Sequence, residues 1–221
     1  MMKKFAVIVF PGSNCDHDAY HVINSMPNSL VKFIWHKETD LKDYDTIIIP
    51  GGFSYGDYLR AGAIARFSPI MNSVINESKK GKKIIGICNG FQILIECGLL
   101  PGALLNNKDI KFLSKEVSLK VVNNKTSFTH LIKKDDELSM PIAHKQGNYF
   151  ANKELIKDLE SNNQIAFKYK YKNPNGSISN IAGILNQQKN VLGMMPHPER
   201  ASDSVLGSSS GYKIFQSILE S

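Results

Sequence analysis

Apolar runs without polar alternation mark the first half of the chain. Such runs indicate strands that are buried on both faces of a sheet, and they lie at residues 5–10, 30–35, 45–50 and 82–88. Helices are predicted between and after these runs: from Asp16 to about Ser25, in the second half of 59–81, and over 89–98. Strands that alternate with helices favour a parallel sheet with helices on both faces.

The pattern changes after about residue 105, where polar and apolar residues alternate. Alternation is typical of half-buried antiparallel strands, which are predicted at 117–122, 126–132, 164–171 and 179–186. An amphipathic helix is predicted at 152–162, a strand that runs into an extended turn at 190–199, and a last helix at about 208–220. No linker or repeat interrupts the chain, so we expect one α/β domain over residues 1–221. Its open, mostly parallel sheet is extended by antiparallel strands in the C-terminal half.

Length, charge and cysteine content narrow the class of protein. A chain of 221 residues suits one well-buried domain, and no apolar run approaches the length of a membrane span. The net charge of +7 comes mostly from scattered lysines, whereas a nucleic-acid surface usually clusters its charge and includes arginine. Three cysteines without framework spacing are typical of a reducing compartment. We therefore expect a cytoplasmic protein that binds neither nucleic acid nor membranes.

The run 82–88 ends at Cys88, which lies between two glycines in "GICNG". A strand, a sharp turn and a helix are predicted here, which is the geometry of a nucleophile elbow at the carboxyl end of a sheet. Small neighbours suit a strained turn, and the free N–H groups of a new helix favour the thiolate. Buried cysteines are also common as plain core residues, so the motif alone leaves both interpretations open.

The segment "MMPHPER" near the end contains a candidate base. Pro198 is expected to hold the segment in an extended conformation, which would place the side chains of His197 and Glu199 on the same side of the chain. A thiol nucleophile needs a base, and the base needs an acceptor that orients it. Alone, the motif is more typical of a turn or a cap. Together with a cysteine elbow, it favours a Cys–His–Glu site.

Gly51 and Gly52 follow the predicted strand at 45–50. Backbone N–H groups at the carboxyl edge of a sheet can form an oxyanion hole, although an ordinary strand-to-loop turn has the same composition. The chain lacks the spacing of a phosphate loop or a dinucleotide-binding loop, and its cysteines and histidines lack zinc spacing. We therefore expect no cofactor or metal in this chain.

In combination, Pro-Gly-Gly after the third strand, "GICNGFQ" at the elbow and "HPE" near the end resemble the class I (triad-type) glutamine amidotransferases, which have a flavodoxin-like α/β fold. More narrowly, "FPGSNCD", "PGGFSYGDYLRAGAIARF", "CNGFQIL", "GLLPGALL" and "GMMPHPER" resemble the PurQ family. Members of that family are the glutaminase subunits of phosphoribosylformylglycinamidine (FGAM) synthase in purine biosynthesis. The resemblance covers the chain from end to end.

The resemblance implies a glutaminase mechanism on the matching residues. Cys88 would attack the side-chain amide carbon of glutamine, and backbone N–H groups at Gly52 and Asn89 would hold the oxyanion. His197, oriented by Glu199, would protonate the leaving ammonia and then activate the water that hydrolyses the thioester. The substrate-binding residues that the resemblance implies are Gly51, Gln92, His144 and Asn148. Gln92 could equally be a simple exposed helix residue.

The resemblance also implies partners for the chain. A separate synthetase subunit (PurL) would bind ATP, magnesium and formylglycinamide ribonucleotide, and a small subunit (PurS) would complete the ATP-dependent C–N ligase. Ammonia would have to reach the synthetase by a closed path, because in neutral water it is mostly the non-nucleophilic ammonium ion. Arg60 and Arg66 are the candidate docking edge. Internal salt bridges that pin their loop explain the same residues equally well.

Residues 143–149, "AHKQGNY", depart from the family pattern "AHGEGNF". Lys145 and Gln146 stand where the family usually has glycine and glutamate. If that glutamate contacts glutamine or the synthetase, this chain must make the contact with a neutral amide.

Two other classes stay open on the residues alone. A PfpI-like protease or deglycase also has a cysteine elbow, but it usually places the acidic partner before the cysteine and lacks the late His-Pro-Glu. In a non-catalytic flavodoxin-like binding module, Cys88 would merely be buried.

Overall fold

The computed structural model describes residues 2–221, which contain eleven strands and five α-helices. The strands are β1 (Lys3–Val9), β2 (Ser29–Trp35), β3 (Thr46–Ile49), β4 (Lys83–Ile87), β5 (Ala103–Leu105), β6 (Leu113–Val121), β7 (Glu137–His144), β8 (Asn148–Phe150), β9 (Ile165–Tyr169), β10 (Ile181–Leu185) and β11 (Val191–Met194). The helices are α1 (Asp16–Asn24), α2 (Pro69–Lys79), α3 (Asn89–Glu96), α4 (Lys153–Ser161) and α5 (Tyr212–Glu220).

Nine strands form one sheet in the order β2-β1-β3-β4-β11-β10-β9-β6-β7. The first five strands in that order are parallel to one another, and the other four continue the sheet with antiparallel pairing. β5 and β8 form a separate two-stranded antiparallel ribbon. The predicted class, an α/β fold whose mostly parallel sheet is extended by antiparallel strands, is confirmed.

The parallel half consists of strands that are apolar on both faces. β3 and β11 bury every residue, and β4 buries all but its first. The order of the strands reverses at β1, which has β2 on one side and β3 on the other. Because strand–helix–strand connections are right-handed, α1 and α2 cover opposite faces of the sheet. The carboxyl ends of the strands beside such a reversal line the crevice in which open α/β sheets bind their ligands.

The predicted strand at 126–132 is wrong, because these residues form turns. The carbonyl of Thr126 accepts from the backbone N–H groups of Thr129 and His130, and its hydroxyl accepts from the N–H of Phe128 at 3.2 Å. A threonine that bonds its neighbouring backbone in this way competes with strand pairing. Phe128 and Ile132 are both buried at a spacing of four residues, which a helical turn also places on one side.

β5, β7 and β8 lie outside the predicted elements. β7 buries alternate residues, but it contains Pro141, which argues against a strand from sequence alone. The proline is tolerated because β7 is the last strand of the sheet. β9 and β10 form where they are predicted, but they are buried on both faces rather than one. The last helix begins at Tyr212, four residues later than expected.

Within residues 2–221, none of the helices combines the length and the apolar character that crossing a membrane requires.

Candidate active site

Cys88 lies at a strained turn between β4 and α3. Its backbone has φ 50° and ψ −104°, a conformation that a residue with a side chain adopts only under constraint. The residue is the N-cap of α3, so the unpaired N–H groups at the start of that helix lie beside the thiol. The predicted arrangement of strand, sharp turn and helix, with Cys88 at the turn, is confirmed.

The two glycines around Cys88 allow close packing and are not required for a left-handed backbone conformation. Neither Gly86 nor Gly90 has a positive φ; the positive φ is at Cys88 itself. A Cβ at Gly90 would overlap the carbonyl oxygen of Ile49 in β3. The start of α3 can therefore approach the sheet only because position 90 has no side chain.

Strand pairing brings the late His-Pro-Glu segment to the elbow. β11 pairs with β4 in parallel, and the N–H of Cys88 donates to the carbonyl of Met194 at 2.8 Å. His197 follows three residues later, and its N–H donates to the carbonyl of Pro141 in β7 at 2.9 Å. The chain thus joins residues that are more than a hundred positions apart through the pairing of two neighbouring strands.

His197 and Glu199 form a buried pair. His197 Nδ1 lies 2.5 Å from Glu199 Oε1, and both side chains are at most 2% exposed. The expected extended conformation around Pro198 is wrong in part: His197 is extended, but Pro198 begins a 3-10 helix that runs to Ala201. A proline suits the first position of a helix because it lacks the N–H that would stay unbonded there. The turn, rather than an extended chain, brings the carboxylate to the ring.

The charge state of His197 depends on its partners. Burial lowers the pKa of His197, but the Glu199 carboxylate and the neighbouring Cys88 raise it by a larger amount. The pKa of His197 therefore lies well above its ordinary value. His197 Nε2 has no hydrogen-bond partner within residues 2–221. Because Nδ1 is held by Glu199, Nε2 is the nitrogen that remains for proton transfer.

Gly51 marks the point where three functional side chains converge. A Cβ at this position would lie 2.7 Å from His197 Cε1, 3.3 Å from Cys88 Cβ and 3.4 Å from Cys15 Sγ. Any other residue after β3 would therefore push these side chains apart. Gly51 was predicted to bind substrate; the structure shows that it provides the space between the side chains.

Cys15 and Arg200 belong to the same cluster and were not predicted as site residues. The Cys15 thiol and the ligand atoms of His197 and Glu199 all lie within 4.8 Å of one another, close enough for a metal ion. However, Arg200 Nη2 donates to Cys15 Sγ at 3.3 Å, and this cation disfavours a second one. No role was predicted for Arg200, because no local pattern connects it with a cysteine 185 positions away.

A cavity of about 300 Å³ opens beside the elbow. Cys88, Gly52, Gln92 and His144 all line it, so four of the sequence-predicted site residues share one space. Gly52 has φ +123°, a conformation that favours glycine. Gln92 is only 6% exposed, and the alternative that it is a simple exposed helix residue is therefore wrong.

A network of side chains surrounds Asn89, the first residue of α3. Asn89 Oδ1 accepts from the backbone N–H and the hydroxyl of Ser54. Asn89 Nδ2 donates to Gln92 Oε1 at 2.8 Å and to Asp57 Oδ1 at 3.2 Å. Gln92 Nε2 in turn donates to the backbone oxygen of Gln146 at 2.6 Å. Gln92 therefore ties the elbow helix to the segment after β7.

The structure explains how Gln146 can stand where the family pattern has glutamate. Gln146 Oε1 accepts from the N–H of Ala61 at 3.1 Å, which holds the loop that precedes α2. A carboxylate oxygen accepts the same bond, so glutamine in place of glutamate keeps the contact. Lys145 is exposed, and its backbone oxygen accepts from the N–H of Asn107 at 2.9 Å.

His144 is a neutral imidazole at the wall of the cavity. Its Nδ1 lies 3.1 Å from Asn107 Oδ1, which also accepts from the N–H of Gly147, so Nδ1 carries the proton. Burial lowers the pKa of His144 to about 3, and its Nε2 has no partner among residues 2–221. Nε2 is therefore a buried acceptor without a donor, on a residue that lines the cavity.

Three predicted residues lie elsewhere. Asn148 lies in β8, where its side-chain amide approaches Gly176. Arg60 makes a two-pronged contact with Glu96, from Nε at 2.7 Å and from Nη2 at 2.6 Å. Arg66 Nη1 lies 3.9 Å from the same carboxylate. The structure thus contains the internal salt bridges that were the alternative to a docking role.

Comparisons with known proteins agree on the type of fold. The model of the CobB/CobQ-like glutamine amidotransferase domain matches residues 2–215. A chain in the structure of PurLQS from Thermotoga maritima is 45% identical, with a TM-score of 0.92, and the match covers 100% of this chain and 99% of that one.

Two more distant structures share the fold alone. One is a candidate GMP synthase protein from Thermoplasma acidophilum, 16% identical, with a TM-score of 0.66 and coverage of 100% of this chain and 94% of that one. The other is a glutamine amidotransferase from Thermotoga maritima, 16% identical, with a TM-score of 0.58 and coverage of 90% and 77%. From the family match over residues 2–215 and the full-length similarity at 45% identity, the chain belongs to the CobB/CobQ-like glutamine amidotransferase family.

Proposed function

We propose that this chain is the glutaminase subunit of an FGAM synthase. It hydrolyses glutamine to glutamate through a thioester on Cys88, and it delivers ammonia to a separate ATP-dependent synthetase that converts formylglycinamide ribonucleotide to FGAM. The observation that carries the proposal is that Cys88, at a strained elbow, lies beside the buried pair of His197 and Glu199. The specific synthase is supported by the full-length similarity, at 45% identity, to a chain of PurLQS.

The first half of the reaction forms the thioester. Cys88 gives its thiol proton to His197 Nε2 and its Sγ attacks the side-chain amide carbon of glutamine, so that the carbonyl oxygen becomes an oxyanion. The N–H groups of Gly52 and Asn89 are the proposed donors to that oxyanion, because both residues border the elbow and helix-start N–H groups have no partner within the helix. His197 Nε2 then gives its proton to the nitrogen as the carbon–nitrogen bond breaks, and ammonia leaves.

The second half regenerates the enzyme. His197 Nε2 removes a proton from water, and the resulting hydroxide attacks the thioester carbon. The carbon–sulfur bond breaks, glutamate leaves, and His197 Nε2 returns the proton to the Cys88 sulfur for the next cycle. Glu199 stays ionised throughout and stabilises the imidazolium form of His197.

Cys88 is preferred over Cys15 as the nucleophile, although both thiols are near His197. Cys88 lines the cavity and has the strained backbone that presents a side chain at an elbow. Cys15 Sγ contacts Arg200 and the side-chain oxygen of Asn14. We propose that Cys15 and Arg200 support the position of His197 and take no part in the covalent chemistry.

The synthetase partners and cofactors belong to the same proposal. ATP and magnesium are expected on a PurL-type synthetase, and a PurS-type protein completes the assembly in the cytoplasm. The loop before α2 is the proposed docking edge, since Tyr58, Leu59 and Phe67 are at least 73% exposed and Arg60 and Arg66 lie among them. The contacts of both arginines with Glu96 then position the loop for docking.

A glutaminase assay on the purified chain, with and without the synthetase partner, tests the proposal. We expect weak hydrolysis of glutamine by the chain alone and a rise with the partner and its ligands. Cys88→Ala should abolish glutamine-dependent turnover, while the reconstituted complex still uses free ammonia. Cys97→Ala is the matched control, because burial raises the pKa of the Cys97 thiol to about 12 and keeps it protonated.

Two results would contradict the proposal. Glutamine-dependent turnover that persists in Cys88→Ala shows that another residue is the nucleophile. High turnover that does not respond to the partner shows that the chain is not coupled to a synthetase.

A further inference from the structure

Asp57 is a carboxylate in the cavity without a cation to balance it. It lines the same cavity as Cys88. The ion pairs within residues 2–221 do not include it, and its one side-chain contact is with Asn89 Nδ2 at 3.2 Å. Lys145 lines the cavity as well, but its side chain is exposed to solvent.

The position of Asp57 is held by backbone strain and by the elbow helix. Asp57 has φ 54°, within a loop where Tyr55 and Leu59 also have positive φ, and each such non-glycine residue costs free energy. Asn89 joins Asp57 to Gln92 and to Ser54. The carboxylate is therefore fixed relative to the residue that follows the nucleophile.

The environment penalises the charge of Asp57. Burial raises the pKa of Asp57 to about 6, and the hydrogen bond from Asn89 only partly opposes this rise. A partly buried carboxylate without a counter-ion is unfavourable in the free protein. A positively charged ligand in the cavity would remove the penalty.

We propose that the Asp57 carboxylate binds the α-ammonium group of the substrate glutamine and so selects an α-amino acid over a simple amide. The inference rests on the proposed function, since it takes glutamine as the substrate. Glutamine carries one cation, its α-ammonium, and its other end must reach Cys88 with the amide. The cavity offers a thiol for the amide end and, in Asp57, a carboxylate for the ammonium end.

Covalent labelling of Cys88 by two matched reagents tests the proposal. The first is the diazoketone analogue of glutamine, which retains the α-ammonium, and the second is its desamino form, which lacks only that group. In both cases the diazo carbon takes up the thiol proton, the Cys88 sulfur displaces dinitrogen from that carbon, and a thioether forms. Labelling rates on the Cys88 peptide are measured by mass spectrometry in the full chain.

Asp57→Asn keeps an oxygen acceptor for Asn89 and removes the charge. We expect it to slow labelling by the ammonium-bearing reagent about 10- to 100-fold, the usual range for one charge-assisted hydrogen bond, and to leave the desamino rate unchanged. Asp57→Glu, which keeps the charge, should retain part of the preference. Asp158→Asn, an exposed position on α4, is the matched control and should change neither rate.

Equal slowing of both reagents in Asp57→Asn overturns the proposal, because Asp57 would then only support the elbow. Unchanged rates with both reagents overturn it as well. If the wild-type chain itself is not labelled at Cys88 by the ammonium-bearing reagent, the proposed function fails, and this inference fails with it. That outcome is separate from the other two, in which wild-type labelling is normal.

Discussion

Replacing Glu199 by glutamine removes one charge from the buried pair and little else. Glutamine keeps an oxygen that can accept the hydrogen bond from His197 Nδ1, which lies 2.5 Å from Glu199 Oε1. The carboxylate is the largest of the influences that raise the pKa of His197 against the effect of burial, and Cys88 contributes as well. Without it, the effect of burial is opposed less strongly, and the pKa of His197 falls.

The size of the effect follows from the burial of the pair. Leaving one charge of a buried pair without its partner costs about 3–5 kcal/mol, and His197 must carry that charge when it protonates the leaving ammonia. At about 1.4 kcal/mol per tenfold in rate, turnover should fall by roughly 10²- to 10⁴-fold. Thermal stability should change less, because the resting His197 can avoid the penalty by losing its proton.

Steady-state glutaminase kinetics with Glu199→Gln give the comparison, with thermal unfolding as a check on folding. Glu137→Gln is the matched control: Glu137 lies at the exposed start of β7, where it contacts Lys170 and Tyr171. It should leave kcat within about twofold, as surface substitutions away from a site usually do. If Glu199→Gln folds normally and retains a third or more of wild-type kcat/KM, the role assigned to the carboxylate is wrong.

Three further outcomes are expected. Gly90→Ala should prevent normal folding or lower the midpoint of thermal unfolding strongly, because its Cβ would overlap the carbonyl of Ile49; an unchanged midpoint would contradict the packing argument. Gln146→Glu should keep wild-type stability, since either side chain offers an oxygen to the N–H of Ala61, whereas Gln146→Leu should lose about 1 kcal/mol in urea unfolding. The pKa of Asp57 is about 6 in the folded protein, above the unfolded value of 3.8. The stability that this group contributes is therefore fully present below the unfolded pKa and is lost as pH rises to about 6. Asp57→Asn should therefore be more stable than wild type above pH 6 by about 1 kcal/mol after allowing for solvent screening, with no gain near pH 3; a gain that is equal at both pH values would refute the linkage.

The parallel half of the fold could be predicted because its signals are local. Buried strands appear as continuous apolar runs, and the elbow at Cys88 follows from a strand that ends in small residues before a helical segment. The alternation of polar and apolar residues gave a wrong prediction at 126–132, where a threonine hydroxyl accepts a hydrogen bond from the backbone and the chain forms turns. β7 was not predicted because it contains Pro141, which only a strand at the edge of the sheet tolerates. The edge position of β7 depends on the whole topology.

Much of the site could not be predicted because it depends on contacts between distant segments. The pairing of β4 with β11 brings His197 to the elbow, whereas from the sequence this proximity was expected only from the chemistry that a thiol nucleophile needs and from resemblance to a family. The contact between Cys15 and Arg200 joins the first turn of the chain to its last quarter. Asp57 was missed because the strain of its loop and its lack of a counter-ion are properties of the folded molecule.

Labelling with the diazoketone analogue of glutamine, followed by peptide mass spectrometry, shows which cysteine is the nucleophile. Two of the three cysteines, Cys88 and Cys15, lie near the buried pair of His197 and Glu199, and we assign the nucleophile to Cys88 alone. We expect one label per chain on Cys88, no label on Cys15 or Cys97, and loss of glutaminase activity in step with labelling. A label on Cys15, or full labelling of Cys88 with activity retained, would contradict this assignment.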